Sequence, residues 1–371
     1  MIYLDNGATS LHKPPRVARA VADAIRTCAN PGRGGYAASV RAARKIFACR
    51  EAAGELFHCR PEQVVLTSGC THGLNLAIRS LVKPGDPVVI SGFEHNAVTR
   101  PLHALGAKIR VAGRKLFDPE DTLASFRKAL PGAKAAVFTH ASNVFGYILP
   151  LEELAKLCRE AGVPFLVDAA QTGGSEALDF TALGADFLAL PGHKGLLGPQ
   201  GTGLLLCREG GEPLLQGGTG SDSIQQQMPE YLPERLEPGT LNVPGFAGLT
   251  EGIRHVLALG PAEIGRREKA QAAACARGLE QLGIRVFSGR SQGGTLSFLP
   301  GQDSEGVAAA FARMGIALRG GLHCAPLAHE SAGTLDTGTV RLSFGWDAEK
   351  SQTGAFLQAA SKLLGGKQEI F

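Results

Sequence analysis

Between residues 64 and 207 the chain repeats one pattern: a short apolar run, then a stretch with helical spacing. The runs fall at residues 64–67, 87–91, 108–111, 135–139, 165–167, 187–190 and 203–207 and are rich in Val, Leu and Ile. A strand that is apolar on both sides needs cover on both sides, and intervening helices such as those expected at 74–81 and 151–161 supply it. The pattern predicts an α/β fold built on a large mixed, mainly parallel sheet. Two earlier helices are expected at 15–29 and 38–57. After Pro244 the texture changes. A helical stretch over 248–282 is broken near Gly260-Pro261 and followed by strands at 284–287, 295–298, 316–319 and 340–344, with helices at 305–314 and 348–364. Residues 15–247 are therefore expected to form a large α/β domain, and residues 1–14 with 248–371 a smaller α+β domain. No internal repeat is present.

Bulk properties narrow the function classes. With 371 residues the chain can bury a large core. A formal charge of +4 without a basic run, and only 6% aromatic residues, argue against nucleic-acid binding. No stretch approaches the roughly 18 apolar residues of a membrane span. The start, MIYLDNGATS, lacks a basic-then-apolar leader. Eight cysteines occur without a CxxC pair. That usage suits free thiols in a reducing compartment, so a cytoplasmic setting is expected, with no metal site.

Ligands of open α/β sheets bind beyond the carboxyl ends of the strands. The polar residues found there are Thr67 to Gly73, Glu94-His95-Asn96, Ser142-Asn143-Val144, Asp168-Ala169-Ala170-Gln171 and Gly192-His193-Lys194-Gly195. Small residues before a helix suit a phosphate, but also suit a simple cap. An acid at a strand end can cap a helix, and a lysine in a glycine-dense loop can be a solvated surface residue. Together they form a set. Pyridoxal phosphate needs a lysine amine, an acid at its pyridine nitrogen and a phosphate cradle, and gains from a flat ring over its face. Lys194, Asp168, the Ser68–Thr71 loop, His95 and Gln171 could supply these.

At these positions the chain resembles the cysteine desulfurase family of the class V aminotransferase fold, nearly end to end. The matches run in order from Tyr3-Leu4-Asp5-Asn6 through Glu94-His95, Ser142-Asn143-Val144, Asp168 to Gln171, His193-Lys194, Pro238-Gly239-Thr240, Arg319 and His323-Cys324-Ala325 to Val340-Arg341. The resemblance implies that Lys194 bonds pyridoxal 5'-phosphate and later moves a proton, and that Asp168 faces the pyridine nitrogen. It implies that His95 stacks on the ring and that Gln171 faces the phenolic oxygen. Thr71, the backbone around Cys70 and His193 would hold the phosphate, with Thr240 reaching over from a second subunit of a homodimer. Asn143 and Arg341 would bind the substrate carboxylate, and Arg319 would lie near the substrate.

Cys324 sits in Arg319-Gly320-Gly321-Leu322-His323-Cys324-Ala325-Pro326, a setting expected to be a flexible loop with positive charge nearby. Most free cysteines are inert and buried. By the resemblance, this one takes sulfur from L-cysteine as a persulfide, leaves L-alanine, and hands the sulfur to an unidentified acceptor protein. The compact HCAP segment is similar to the short-loop group, which includes members acting on selenocysteine. Selenocysteine lyase activity, another class V reaction such as transamination or β-elimination, and a non-catalytic scaffold remain open alternatives. Cys70 and Pro191 stand where hydroxyl residues are frequent in the family, and Leu322 where many short-loop members carry histidine. Gly7 and Tyr36 depart from common residues near the substrate.

Overall fold

All seven apolar runs pair into one sheet in the computed structural model of the chain, which describes residues 1–32 and 34–365. The first part of the chain comprises β1 (Ile2–Tyr3), α1 (Pro15–Thr27), α2 (Ala37–Phe57), β2 (Val64–Thr67), α3 (Cys70–Leu81) and β3 (Pro87–Ser91). It continues with α4 (Asn96–Ala104), β4 (Lys108–Ala112), α5 (Pro119–Ala129), β5 (Ala135–Thr139) and α6 (Leu151–Glu160). Then come β6 (Phe165–Asp168), α7 (Phe180–Leu183), β7 (Phe187–Pro191) and β8 (Gly203–Cys207). The sheet order is β2-β8-β7-β6-β5-β3-β4. Only the pairings of β8 with β2 and β7 are antiparallel. Two antiparallel steps cancel, so β2 runs in the same direction as β7. The carboxyl ends Thr67, Ser91, Thr139, Asp168 and Pro191 therefore share one edge.

Burial explains the elements. Strands β2, β5, β6, β7 and β8 are buried at every residue. Helix α6 buries Leu151, Leu154, Ala155 and Cys158, one stripe at helical spacing, and carries Glu152 and Glu153 in its first turn, where the dipole favours acids. Separate apolar clusters line the two sides of the sheet, one holding Val64, Leu66, Phe138 and Leu188, the other Val65, Val137, Leu166 and Leu205.

The second part contains α8 (Val243–Leu259), α9 (Pro261–Gln281), β9 (Arg285–Phe287), β10 (Thr295–Leu299), α10 (Ser304–Arg313), β11 (Ile316–Ala317) and β12 (Arg319–Gly321). It ends with α11 (Pro326–Ala332), β13 (Thr339–Ser343) and α12 (Lys350–Leu364). Strands β12-β13-β10-β9 form an antiparallel sheet, with Phe298, Phe311 and Phe356 in the cluster beside it. The helix break expected near Gly260-Pro261 is the α8–α9 junction. The strand expected over 316–319 is instead two strands in two sheets. Ile316 and Ala317 pair in parallel with Ile2 and Tyr3, whereas Arg319 to Gly321 join β13. The partner for the first half comes from the far end of the chain. Residues 366–371 of the expected smaller unit lie outside the described residues.

Candidate active site

A cavity of about 410 Å³ opens at the shared carboxyl edge. Ser68, Gly69, Cys70 and Thr71 reach it from the β2–α3 turn, His95 from the end of β3, and Asn143 from the loop after β5. Asp168 and Gln171 follow from β6, and Pro191, His193 and Lys194 from β7. Eight of the residues singled out in the sequence thus converge: Cys70, Thr71, His95, Asn143, Asp168, Gln171, His193 and Lys194.

Each is fixed by local structure. Asp168 is buried, and its Oδ1 accepts from the Ala170 N–H at 2.9 Å and the Cys70 thiol at 3.5 Å. His95 caps α4: the Ala97 N–H donates to its Nδ1 at 3.0 Å, which leaves the ring proton on Nε2. Gln171 donates to the Gly7 carbonyl at 3.2 Å. His193 Nδ1 lies 3.0 Å from the Thr9 hydroxyl. Helix α3 has no side-chain cap and its first residues Cys70 and Thr71 line the cavity, so this helix end suits an anion. The glycines around Lys194 serve the protein's own packing. A Cβ at Gly195 would stand 2.2 Å from the Gly173 carbonyl, and one at Gly192 would overlap the Thr202 hydroxyl.

Among the described residues, no hydrogen bond or ion pair is assigned to the half-buried Lys194 amine. Withdrawal from water, then the nearby Arg341 charge, lowers its pKa, against the opposing pull of Asp168. Burial lowers His95 as well, with Asp168 opposing. His193 is pushed down to about 4 by burial and by Lys194 and Lys13. Burial and then the Asp168 charge hold the Cys70 thiol protonated, well above the usual range. The site therefore gathers an amine, imidazoles and a carboxyl group around one cavity.

The remaining candidates lie outside this cavity. Arg341 is 2% exposed. Its Nη1 donates to the Asn143 carbonyl at 3.0 Å and its Nη2 pairs with Asp5 Oδ1 at 2.6 Å, while its Nε has no partner. Arg319 is exposed directly opposite Arg341 in the β12–β13 pairing. Cys324 is exposed, yet the expected flexible loop is tied at two consecutive carbonyls. Asn143 Nδ2 donates to His323 O at 2.7 Å and the Asn96 N–H to Cys324 O at 2.8 Å. Thr240 is exposed in a different groove of about 940 Å³, with Phe47, Thr219 and Tyr231. Within one chain it does not meet Lys194.

The aminotransferase class-V family model matches residues 2–356. The chain belongs to that family. A probable cysteine desulfurase of Pyrococcus abyssi is 32% identical, with 98% of this chain and 94% of the relative aligned. A cysteine desulfurase of Serratia proteamaculans is 30% identical at the same coverage. The apo structure of a cysteine desulfurase from Thermococcus onnurineus superposes with a TM-score of 0.91 at 32% identity, covering 98% of this chain and 95% of the other. The S-sulfonic acid form of the Escherichia coli cysteine desulfurase CsdA gives 0.85 at 27% identity, covering 98% and 94%.

Class-V aminotransferases are pyridoxal-phosphate enzymes, and the cavity fits that group. It has an uncapped helix end suited to an anion, a buried carboxyl group with one oxygen still unshared, and a buried Asn143 Oδ1 without a protein partner. Two features of the site escape reading from sequence alone. Asp5 pairs with Arg341 across 336 positions, and nothing local marks the partnership. Glu94 is fully buried at the end of β3, accepting from the Thr139 N–H at 2.9 Å and from the Ser91 hydroxyl. Its only signal was its place beside His95.

Proposed function

We propose that the protein is a pyridoxal-phosphate-dependent cysteine desulfurase that converts L-cysteine to L-alanine and takes the sulfur as a persulfide on Cys324. The observation that carries this is the convergence of the Lys194 amine, Asp168 and His95 on one cavity, with the wall residue Asn143 bonded to the His323 carbonyl and Asn96, next in the chain to His95, bonded to the Cys324 carbonyl. The names of the relatives point the same way.

In this reading Asp168 would pair with the pyridine nitrogen, and His95 and Gln171 would hold the ring and its phenolic oxygen. Thr71, the Cys70 backbone and His193 would hold the phosphate. Bound there, the cofactor would supply an electron sink for the substrate carbon skeleton. Lys194, with its depressed pKa, takes the Cα proton and later returns one. Asn143 and Arg341 hold the substrate carboxylate, with Arg319 at the approach. The Cys324 thiolate attacks the substrate sulfur. An S–S bond forms as the Cβ–S bond breaks, the electron pair stays with carbon, and a proton completes alanine.

The exposed thiol suits delivery to an acceptor protein. Thr240 serves the site of a partner subunit in a homodimer. Residues 15–247, which contain the whole seven-stranded sheet, form the large domain, and 1–14 with 248–371 the small one. A cytoplasmic setting agrees with eight free cysteines, and no described helix is long and apolar enough to cross a membrane. The test is incubation with L-cysteine, measuring alanine and mapping persulfide by mass spectrometry. Equal alanine and persulfide on Cys324 are expected, with both lost in Cys324→Ala. Undiminished sulfur release from Cys324→Ala would overturn the mechanism.

A further inference from the structure

His323 and Cys324 both have left-handed backbones, with φ of 50° and 59°. Two consecutive non-glycine residues there are strained, and such a kink persists only where its surroundings impose it. The loop's own contacts do not reach the cavity. His323 Nε2 lies 3.1 Å from Thr339 O, and the Ala325 N–H donates to Leu322 O at 3.0 Å. One bond comes from the cavity wall at Asn143 and the other from Asn96, beside the wall residue His95, and each takes the carbonyl of one strained residue. Asn96 directly follows His95. Asn143 lines the cavity itself, is 7% exposed, and keeps its Oδ1 buried and unpartnered. One end of its amide thus grips the loop, while the other has no protein partner.

We propose that the Asn96 backbone N–H and the Asn143 side-chain amide form a two-point clasp that holds the Cys324 loop in its left-handed kink and sets the position of the thiol over the cavity. Both are positioning residues: they act on sulfur transfer through Cys324. The consequence for sulfur transfer rests on the desulfurase reading, whereas the clasp itself does not. Because one amide serves loop and cavity together, a ligand that draws on Asn143 also shifts the hold on the thiol.

Asn96→Pro deletes one point of the clasp with little else. Asn96 is the first residue of α4, where proline is tolerated, and His95 at φ −77° and ψ 156° already has the conformation a following proline requires. Asn96→Ala keeps the N–H and is the comparator. In the purified full chain without added cofactor, hydrogen exchange at the Ala325 amide is expected to be at least about tenfold faster in the proline variant than in the alanine variant. With cofactor loaded, its absorbance should match between the two, while single-turnover persulfide on Cys324 falls about tenfold in Asn96→Pro. Asn143→Asp, nearly isosteric but without the donor, should show the same faster exchange and guards against misfolding of the proline variant. Equal exchange in Asn96→Pro and Asn96→Ala, or unchanged exchange in Asn143→Asp, overturns the clasp. A wild-type protein that makes no persulfide from L-cysteine, yet shows the exchange difference, refutes the desulfurase reading and leaves the clasp standing.

Discussion

Glu94 shows how one side chain ties the site to pH. Burial raises its pKa from an ordinary 4.5 to about 8, although the Ser91 hydroxyl and the Thr139 N–H both favour the charged form. Its folded value lies above its unfolded value, so its contribution is fully present below the unfolded pKa. It falls as pH rises toward the folded pKa and is gone above it. Glu94→Gln keeps an acceptor for both donors and cannot ionise. Relative to wild type, the variant is expected to gain about 1.4 kcal/mol per pH unit between pH 5 and 8, then level off. Denaturant unfolding across that range measures it, and parallel stability curves would mean that Glu94 is ionised in the folded protein. Glu94 was visible in sequence only as a neighbour of His95. Lys194, Asp168 and His95 were legible because strand ends concentrate chemistry. The pairing of Asp5 with Arg341 was not, because ion pairing across a whole chain leaves no local pattern.

At the scale of elements, the strands were legible because full burial on both faces forces near-continuous apolar runs. Helix α4 was harder to see, since Pro101 lies inside it and interrupts the period. The split of the run at 316–319 depended on β1, a two-residue strand from the start of the chain. The glycines around Lys194 make room for a neighbouring turn. Gly195 packs backbone to backbone on Gly173, and Gly174 on Gly195, so the lysine segment is set by the turn that follows β6. Gly195→Ala is expected to cost about 1–3 kcal/mol through overpacking and to lower retention of added pyridoxal phosphate, because the segment bearing Lys194 must shift. Gly132 offers the contrast. It has φ +71° with open space around it, so Gly132→Ala strains only the backbone, at about 1 kcal/mol, and leaves cofactor retention unchanged. Chemical denaturation and cofactor absorbance after dialysis separate the two, and matching behaviour would show that the packing at Gly195 does not position the lysine.

Across the whole molecule, the segment leading to Thr240 is anchored from the core of its own subunit. Arg50 of α2 makes a two-pronged pair with Glu237, at 2.8 and 2.6 Å, and the Leu66 N–H donates to the same carboxylate at 2.5 Å. Removing either member would strand a buried charge, so the pair fixes the chain just before Pro238-Gly239-Thr240. That rigidity has no use for the Lys194 cavity of the same chain, since Thr240 lies in another groove. It makes sense if Thr240 is presented outward to a second copy, as the homodimer reading requires. Subunit mixing tests this directly. Lys194→Ala and Thr240→Trp are each expected to be inactive as homodimers. A mixed dimer pairs the intact Lys194 of one chain with the intact Thr240 of the other, restoring one of its two sites. Random equal mixing should therefore recover about a quarter of wild-type alanine formation. Full activity of Thr240→Trp alone, or no recovery in mixed dimers verified by mass, would place Thr240 outside the active site and return the groove to a structural role.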